Sequence, residues 1–322
     1  MNYHQPICEE TMAAKRTTDD IQFNLDSTYF VAFEMAHEAL RRGLAQGSDL
    51  NITQYRVLTK LMQASKPVPQ GELGRLLGMK PNVLTQAADA LASHGFIRRE
   101  AGPSDGRTRM LSITKEGEDH VAAVNEAIIA SLYAFFPTDN PTYRTILEAA
   151  VAASAQIEPP LDGGRPPRFP ASRSLTSIEL VRQETERTLR EATGASFNEC
   201  RIVQRLGELE RPERVGELAD QLMMSPVNAA RAVDRLAQRG WARRLKSPTD
   251  KKAVYVELTD EGIYEGFLIN ATMNDLAATR LWANLTAAQR EAIEQVGHVV
   301  VADLAAQKRA REQATLEALI PA

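Results

Sequence analysis

Hydrophobic residues recur every three or four positions along most of this chain, which is the spacing of one buried helical face. The pattern predicts a first helix that begins after residue 20 and ends at Gly47. The stripe of this helix consists of Phe30, Phe33, His37, Leu40 and Leu44. A second helix is predicted over 52–62, with Thr53 as its N-cap and an inward face formed by Tyr55, Leu58 and Leu61.

A tight turn then separates two further helices. Pro67 marks a turn, a short helix covers 70–77, and the next helix opens at Pro81 and stops at Gly95. Proline is favoured at the first helical position because its missing N–H would have no partner there, and glycine is favoured just after a helix. This spacing predicts a helix-turn-helix unit, and we call the helix from Pro81 the reading helix.

The hydrophobic period changes after the reading helix. The segments 96–99 and 110–114 are predicted to be strands, joined by a turn rich in Gly, Pro and Asp with basic residues at its tip. This arrangement is a β-hairpin wing. A long helix over 117–136, broken by Pro137, and a further helix over 142–157 complete the unit.

The chain contains this unit twice. Residues 175–262 align with residues 30–117 without a gap, so Pro226 and Gly240 correspond to Pro81 and Gly95. The second copy continues with helices predicted over 263–284 and 286–308. A repeat of this length is too long for a solenoid unit and too short for a typical enzyme half. It indicates two small fused domains, so that one chain could do the work of a two-fold dimer.

These patterns divide the chain into four parts. Residues 1–20 are polar and unpatterned, which predicts a disordered tail, and residues 158–173 form a linker rich in Pro and Gly. The first half covers 21–157 and the second half 174–322. The predicted fold class is mainly α with small β-wings (α+β), with two winged helix-turn-helix domains joined by a helical region.

Composition and charge narrow the function classes. The 322 residues include 38 basic and 42 acidic side chains, so a nucleic-acid interface would have to rest on local basic patches. Cys8 and Cys200 lie far apart and suggest no disulfide, which fits a reducing cytoplasm. We find no signal peptide, membrane span, metal-ligand spacing or catalytic motif, and therefore predict no enzyme activity, no cofactor and no metal.

Residues 53–117 contain the ordered segments TQYRVLTKL, ELGRLLGMKPNVLTQAADALASHGFIRRE and PSDGRTRMLSITKEG. Together they resemble the MarR family of bacterial winged-helix transcription regulators. The second copy resembles it through ELADQLMMSPVNAARAVDRLAQRGWARRL and SPTDKKAVYVELTDEG, and the flanking helices match the family's dimerisation helices in position. Family members are usually homodimers and often repressors. The resemblance therefore implies a covalent pseudo-dimer, monomeric in solution, that regulates transcription.

Recognition helices contact bases with the residues near their N-termini. Candidates in the first copy are Lys80, Asn82, Val83, Thr85 and Gln86, and in the second Ser225, Val227, Asn228, Arg231 and Arg235. The resemblance implies that Asp105 supports the wing and that Arg107 reaches DNA, whereas the second copy has Asp250 and Lys252. Arg98, Arg99, Arg243, Arg244 and Lys246 are candidate phosphate contacts, for which a solvated strand end is the alternative. Arg109 and Lys251 are further candidates to bind DNA.

The two reading helices differ in charge. The second carries Arg231, Arg235 and Arg239 where the first carries Gln86, Ala90 and His94. We therefore expect more non-specific affinity from the second half. The expected partner is double-stranded DNA with an imperfectly palindromic operator, whose half-sites lie about one helical turn apart.

The resemblance also suggests an effector, since many relatives bind small aromatic acids beside the dimerisation helices. Tyr29, Phe33, His37 and Tyr55 are candidates to line a pocket for a small aromatic or phenolic molecule, and His37 or the aligned Arg182 to pair with a carboxylate. Core packing of these aromatic residues is the alternative. Oxidant sensing by Cys8 is a separate hypothesis, and Cys200 is predicted to be core. The rival function is a protein–protein adaptor without specific DNA binding.

Overall fold

The computed structural model describes residues 25–102, 108–158, 161, 168–246, 253–306 and 310. The helices of the first half are α1 (Ser27–Gly47), α2 (Ile52–Leu61), α3 (Gln70–Leu76), α4 (Pro81–Ser93), α5 (Lys115–Phe135) and α6 (Pro141–Ser154). The strands of the first half are β1 (Val68–Pro69), β2 (Ile97–Ala101) and β3 (Arg109–Ile113).

The second half repeats this order. Its helices are α7 (Pro170–Thr193), α8 (Phe197–Leu209), α9 (Val215–Gln221), α10 (Pro226–Gln238), α11 (Asp260–Leu276) and α12 (Ala287–Gln295). Its strands are β4 (Glu213–Arg214), β5 (Ala242–Lys246) and β6 (Val254–Leu258). Two π-helical segments, Ala277–Leu281 and Val296–Val301, follow α11 and α12.

The reading helices α4 and α10 have the predicted limits. They begin at Pro81 and Pro226, and the glycines that end them, Gly95 and Gly240, have left-handed φ angles of 74° and 78°. Glycine adopts this conformation without the steric cost that a Cβ would bring. The helix-turn-helix prediction is confirmed in both copies.

A threonine and a glycine join each reading helix to the long helix that follows the wing. Thr114 caps α5 by accepting the Gly117 N–H at 3.0 Å, and it donates to the Gly95 carbonyl at 2.7 Å. A Cβ on Gly117 would lie 2.2 Å from the carbonyl oxygen of Phe96, closer than any real contact. Thr259 repeats the arrangement in the second copy. The recurrence of these residues therefore has a steric cause.

Each wing is an antiparallel hairpin extended by a third, two-residue strand. The strand orders are β1-β3-β2 and β4-β6-β5, with Ile97 opposite Ile113 in the first sheet. The strands β1 and β4 are not predicted from the sequence, because a pair of residues is too short to show alternation. These strands tie the segment before α3 and α9 to the wing.

The two halves share one hydrophobic core through their long helices. In the first half α1 packs on α5, in the second α7 packs on α11, and the halves meet where α6 contacts α12 and where α1 contacts α7. All four pairs are formed by helices that flank the helix-turn-helix and wing segments in the sequence.

Three predicted boundaries are wrong. Asn51, not Thr53, caps α2. The Asn51 side chain accepts the backbone N–H of Gln54, and the Gln54 side chain accepts the backbone N–H of Asn51, which is a capping box. The predicted linker, 158–173, is too long, because α7 begins at Pro170 and Arg173 is buried. The predicted helices 263–284 and 286–308 are each interrupted by a π-helical segment.

Candidate nucleic-acid interface

The outward face of α4 holds the residues predicted to contact bases. Its inward face is buried, and Lys80, Asn82, Thr85 and Gln86 are exposed, with Val83 half-buried. The Thr85 hydroxyl is already engaged, since it donates to the Pro81 carbonyl at 2.9 Å and accepts from the Gln70 amide at 3.0 Å. The other positions are free to approach a DNA groove.

The matching face of α10 is also open. The predicted contact residues Ser225, Val227, Asn228, Arg231 and Arg235 are all exposed. The Ser225 hydroxyl accepts the Asn228 N–H at 3.2 Å and so caps the helix. Val227, the second residue of α10, is 58% exposed and offers an apolar surface that could contact a thymine methyl group.

Two of the arginines predicted to contact phosphate also brace the reading helices. Arg99 on β2 pairs with Asp89 on α4 and donates to the Thr85 carbonyl at 3.1 Å. In the second copy Arg244 pairs with Asp234 at 2.7 Å. Each pair holds its wing strand against its reading helix. Both the aspartate and the arginine occur at equivalent positions in the two copies, which is a sequence signal for this pairing. Hydrophobic periodicity does not reveal it, because exposed charged residues follow no such period.

The remaining strand arginines fall into two groups. Arg98 and Arg109 are exposed on β2 and β3, whereas Arg243 on β5 pairs with Glu257 on β6. The wing-tip residues Asp105, Arg107, Asp250, Lys251 and Lys252 lie outside the described residues. Their roles therefore stay predictions from the resemblance.

The copies differ at the C-terminal ends of their reading helices. Arg235 and Arg239 lie 3.4 Å and 3.6 Å from the carboxylate of Glu199, which is buried at the start of α8. The guanidinium of Arg239 also lies 5.2 Å from the Trp241 ring centroid. Two of the three additional arginines are thus held by the protein itself, and the predicted extra affinity for DNA rests chiefly on Arg231.

The first copy fills the corresponding place with stacked rings. His94 stacks on Phe96 at 5.4 Å, and Phe96 stacks on His120 at 4.3 Å. The His120 Nε2 lies 2.8 Å from the Ser48 hydroxyl. Burial, with His94 nearby, lowers the pKa of His120. In the first half these stacked rings occupy the position of Arg239 and Trp241 in the second half.

Reciprocal ion pairs join the two halves. Glu34 on α1 accepts from Arg182 on α7 at 3.3 Å, and His37 on α1 lies 2.8 Å from Glu179 on α7. Since Glu179 and Arg182 are the copies of Glu34 and His37, each contact is the image of the other. Such reciprocity is the property of a two-fold interface. The hydrogen bond from His37 is the main cause that lowers the pKa of Glu179 to about 2.

The residues proposed for an effector do not share one pocket. Tyr29 and Phe33 line an apolar cavity between the halves. Tyr55 is fully buried, and its hydroxyl donates to Ser172 at 2.7 Å, while His37 and Arg182 are engaged with carboxylates of the chain itself. The expectation that one of these two cations pairs with a ligand carboxylate is therefore not supported.

Each cysteine prediction has a separate outcome. Cys200 is buried in α8 as predicted, and burial raises the pKa of its thiol to about 12. Cys8 lies outside the described residues. A thiol with so high a pKa is protonated at neutral pH and is a poor nucleophile.

Known proteins share the winged-helix units of both halves. The MarR family model matches residues 50–108 and 196–254. The regulator YhbI of Bacillus subtilis (strain 168), described as an uncharacterized HTH-type transcriptional regulator, is 30% identical over 111 residues, which are 34% of this chain and 71% of YhbI. The chain belongs to the MarR family. The transcriptional repressor MprA of Escherichia coli (strain K12) is 30% identical over 80 residues, 25% of this chain and 45% of MprA.

Solved MarR structures are also similar to this MarR-family chain. Wild-type MarR from E. coli, in the apo form, is 25% identical and covers 37% of this chain and 89% of its own, with a TM-score of 0.32. Sco3205, a MarR-family regulator from Streptomyces coelicolor in complex with DNA, is 28% identical and covers 38% of this chain and 78% of its own, with a TM-score of 0.35.

Family membership supports the prediction that the chain is a DNA-binding regulator and not an enzyme. Within the described part of the chain, every helix falls short of the length and apolar character that crossing a membrane requires. Among the same residues, no group of three His, Cys, Asp or Glu side chains is placed to hold a metal ion.

Proposed function

We propose that this MarR-family chain is a sequence-specific double-stranded DNA-binding regulator, a cytoplasmic repressor that releases its promoter when a small molecule binds. One chain acts as the two-fold unit, without a second copy. The observation that carries the proposal is the reciprocal pair, Glu34 with Arg182 and His37 with Glu179, because it relates two exposed reading helices within one chain. Homodimers obtain the same relation from two chains.

The two halves would read different half-sites. Gln86 on α4 corresponds to Arg231 on α10, and both are exposed. Glutamine pairs best with adenine and arginine with guanine in the major groove. An operator with one base changed between its half-sites fits this difference better than a perfect palindrome. The repressor assignment is supported by the name of the relative MprA.

The test is a fluorescence-anisotropy titration of the full chain against duplexes from the region upstream of its own gene, at several salt concentrations. We expect the logarithm of the binding constant to fall linearly with the logarithm of salt concentration, because phosphate contacts release counterions. Arg231→Ala should cost about 1–3 kcal/mol of binding free energy and relax the preference for guanine in its half-site. Gln86→Ala, its uncharged counterpart in α4, lowers affinity without changing the slope.

A chain that binds none of these duplexes, or binds all sequences equally, contradicts the proposal. The first result would favour the adaptor function, in which the winged helices contact another protein. Circular dichroism and melting temperature of each variant show whether a loss of binding reflects unfolding.

A further inference from the structure

An apolar cavity of about 60 Å³ lies between the two halves and is partly open to solvent. The first half contributes α1, α5 and α6 to its walls, including Tyr29 and Phe33, and the second half contributes α7, α12 and the residues around them, including Ile178 and Trp282. The rings of Tyr29 and Trp282 are nearly perpendicular, with centroids 6.0 Å apart. The cavity therefore belongs to neither winged-helix domain.

The cavity lies on the pseudo-two-fold axis. Its lining includes both members of three repeat pairs, in which the first-half residues Tyr29, Phe33 and Ala36 correspond to Ser174, Ile178 and Val181. A position and its copy can line the same cavity only where the two halves face each other. At these paired positions α1 contributes the aromatic rings of Tyr29 and Phe33, and α7 contributes the aliphatic side chains of Ile178 and Val181.

The chemistry of the lining excludes a charged ligand. The hydroxyls of Ser154 and Ser174 bond to each other at 2.6 Å, and among the described residues no charged side chain lines the cavity. Burial, together with the nearby carboxylate of Glu294, raises the pKa of Tyr29, so the charge nearby is negative. Moving a carboxylate into such surroundings without a partner costs several kcal/mol or more. An uncharged, largely apolar molecule is the ligand class that fits.

The two π-helical segments border this cavity. At the end of the first segment, the backbone N–H of Trp282 donates to the carbonyl of Ala277, five residues earlier, at 2.8 Å. The second segment begins at Val296. Both Trp282 and Val296 line the cavity. Isolated π-turns in α-helices are frequent at functional sites. In the first half the corresponding stretches are the ends of α5 and α6, and the wall on that side is regular.

We propose that this axial cavity binds one uncharged apolar molecule per chain, of the size of a single aromatic ring or smaller. An apolar cavity of about 150 Å³ takes up benzene, so a ring requires this smaller cavity to widen between α1 and α7. Widening changes the separation of the halves, and with it the spacing of the reading helices. That regulatory consequence rests on the proposed function, whereas binding itself does not.

The first experiment compares toluene with benzoate, which share a ring and differ in charge. The full chain is titrated with each compound by isothermal calorimetry, and its melting temperature is recorded at saturation. We expect toluene to bind with one molecule per chain and to raise the melting temperature, and benzoate to bind at least about tenfold more weakly. No binding of toluene, equal or tighter binding of benzoate, or two molecules per chain would overturn the proposal.

Neighbouring alanines on α6 supply a matched pair of variants. Ala150 lines the cavity, while Ala149 is exposed on the same helix. Ala150→Leu fills the cavity and lowers toluene affinity by roughly tenfold or more, and Ala149→Leu changes it less than about twofold. Ile178→Ala enlarges the cavity and increases the melting-temperature shift produced by toluene. Equal toluene binding in all three variants places the ligand elsewhere.

The binding readout is separate from the DNA readout. If toluene binds as expected but no duplex binds, the proposed function fails while the cavity assignment stands. If DNA binds specifically and toluene does not, the cavity assignment fails alone.

Discussion

The winged-helix domains and the contact between the halves have diverged to different extents. In the domains, the copies keep the same residues wherever geometry demands them, as with Gly117 and Gly262 beside backbone carbonyls. Along α1 and α7 the copies differ, with His37 opposite Arg182 and Tyr29 opposite Ser174. A homodimer must place identical residues on both sides of its axis. Fusion removes that requirement, and the unlike residues at these paired positions show that the two sides have diverged.

The largest predicted effect concerns a residue that the copies share. Gly262→Ala brings a Cβ to 1.9 Å from the Trp241 carbonyl oxygen, so backbone must shift, and we expect a loss on the order of 3 kcal/mol in the free energy of unfolding. Gly216→Ala in α9 is the control, because nothing lies within 4 Å of its added Cβ. That control gains about 0.5–1 kcal/mol. Urea unfolding measures both, and similar values for the two would refute the steric account.

The second prediction compares the reciprocal ion pairs. Glu179 is buried with His37, whereas Glu34 and Arg182 are partly exposed. Glu179→Gln therefore costs about 2 kcal/mol, the value of a hydrogen bond to a buried charge. Glu34→Gln costs less than about 1 kcal/mol, since solvent screens the exposed pair. Equal losses in urea unfolding would show that burial does not distinguish the two sides.

The third prediction concerns the loss of stability at low pH. The pKa of Glu179 is about 2 in the folded chain against an ordinary 4.5, so its ionised form stabilises the fold above pH 4.5. This contribution is lost as the pH falls from about 4.5 towards 2, because the unfolded chain takes up the proton first. Unfolding free energies of the wild type and Glu179→Gln should converge over that range. Parallel curves would contradict the assigned cause.

Much of the fold follows from local sequence signals. Pro81 and Pro226 begin the reading helices and Gly95 and Gly240 end them, because each position has a backbone requirement that few residues meet. The strand pair of each wing was predicted from alternation. The start of α7 was not, because Pro170 suits a linker and a first helical turn equally well.

The site was less accessible to sequence reasoning. The exposed face of each reading helix follows from helical period, but the pairing of Arg99 with Asp89 joins residues on a strand and a helix. The alignment of His37 with Arg182 suggested carboxylate partners without indicating that these are Glu179 and Glu34. The axial cavity has no sequence pattern of its own, since it arises only when α1 and α7 are placed side by side.

A smaller effect would sharpen the comparison of the reading helices. Glu199→Gln releases Arg235 and Arg239 from a buried carboxylate on α8. We expect the salt dependence of DNA binding to steepen by up to about one unit, since a freed cation can reach a phosphate. The anisotropy assay measures this slope. An unchanged slope would mean that these arginines serve only to hold α10 on α8.

The most direct test of the central claim is the mass of the DNA-competent species. Light scattering coupled to size exclusion, with and without an operator duplex, measures this mass over a wide range of protein concentration. One chain of 35.5 kDa per duplex, at every concentration, is the result expected if the two halves form the two-fold unit. A species with twice the chain mass, formed before or upon binding DNA, would contradict it.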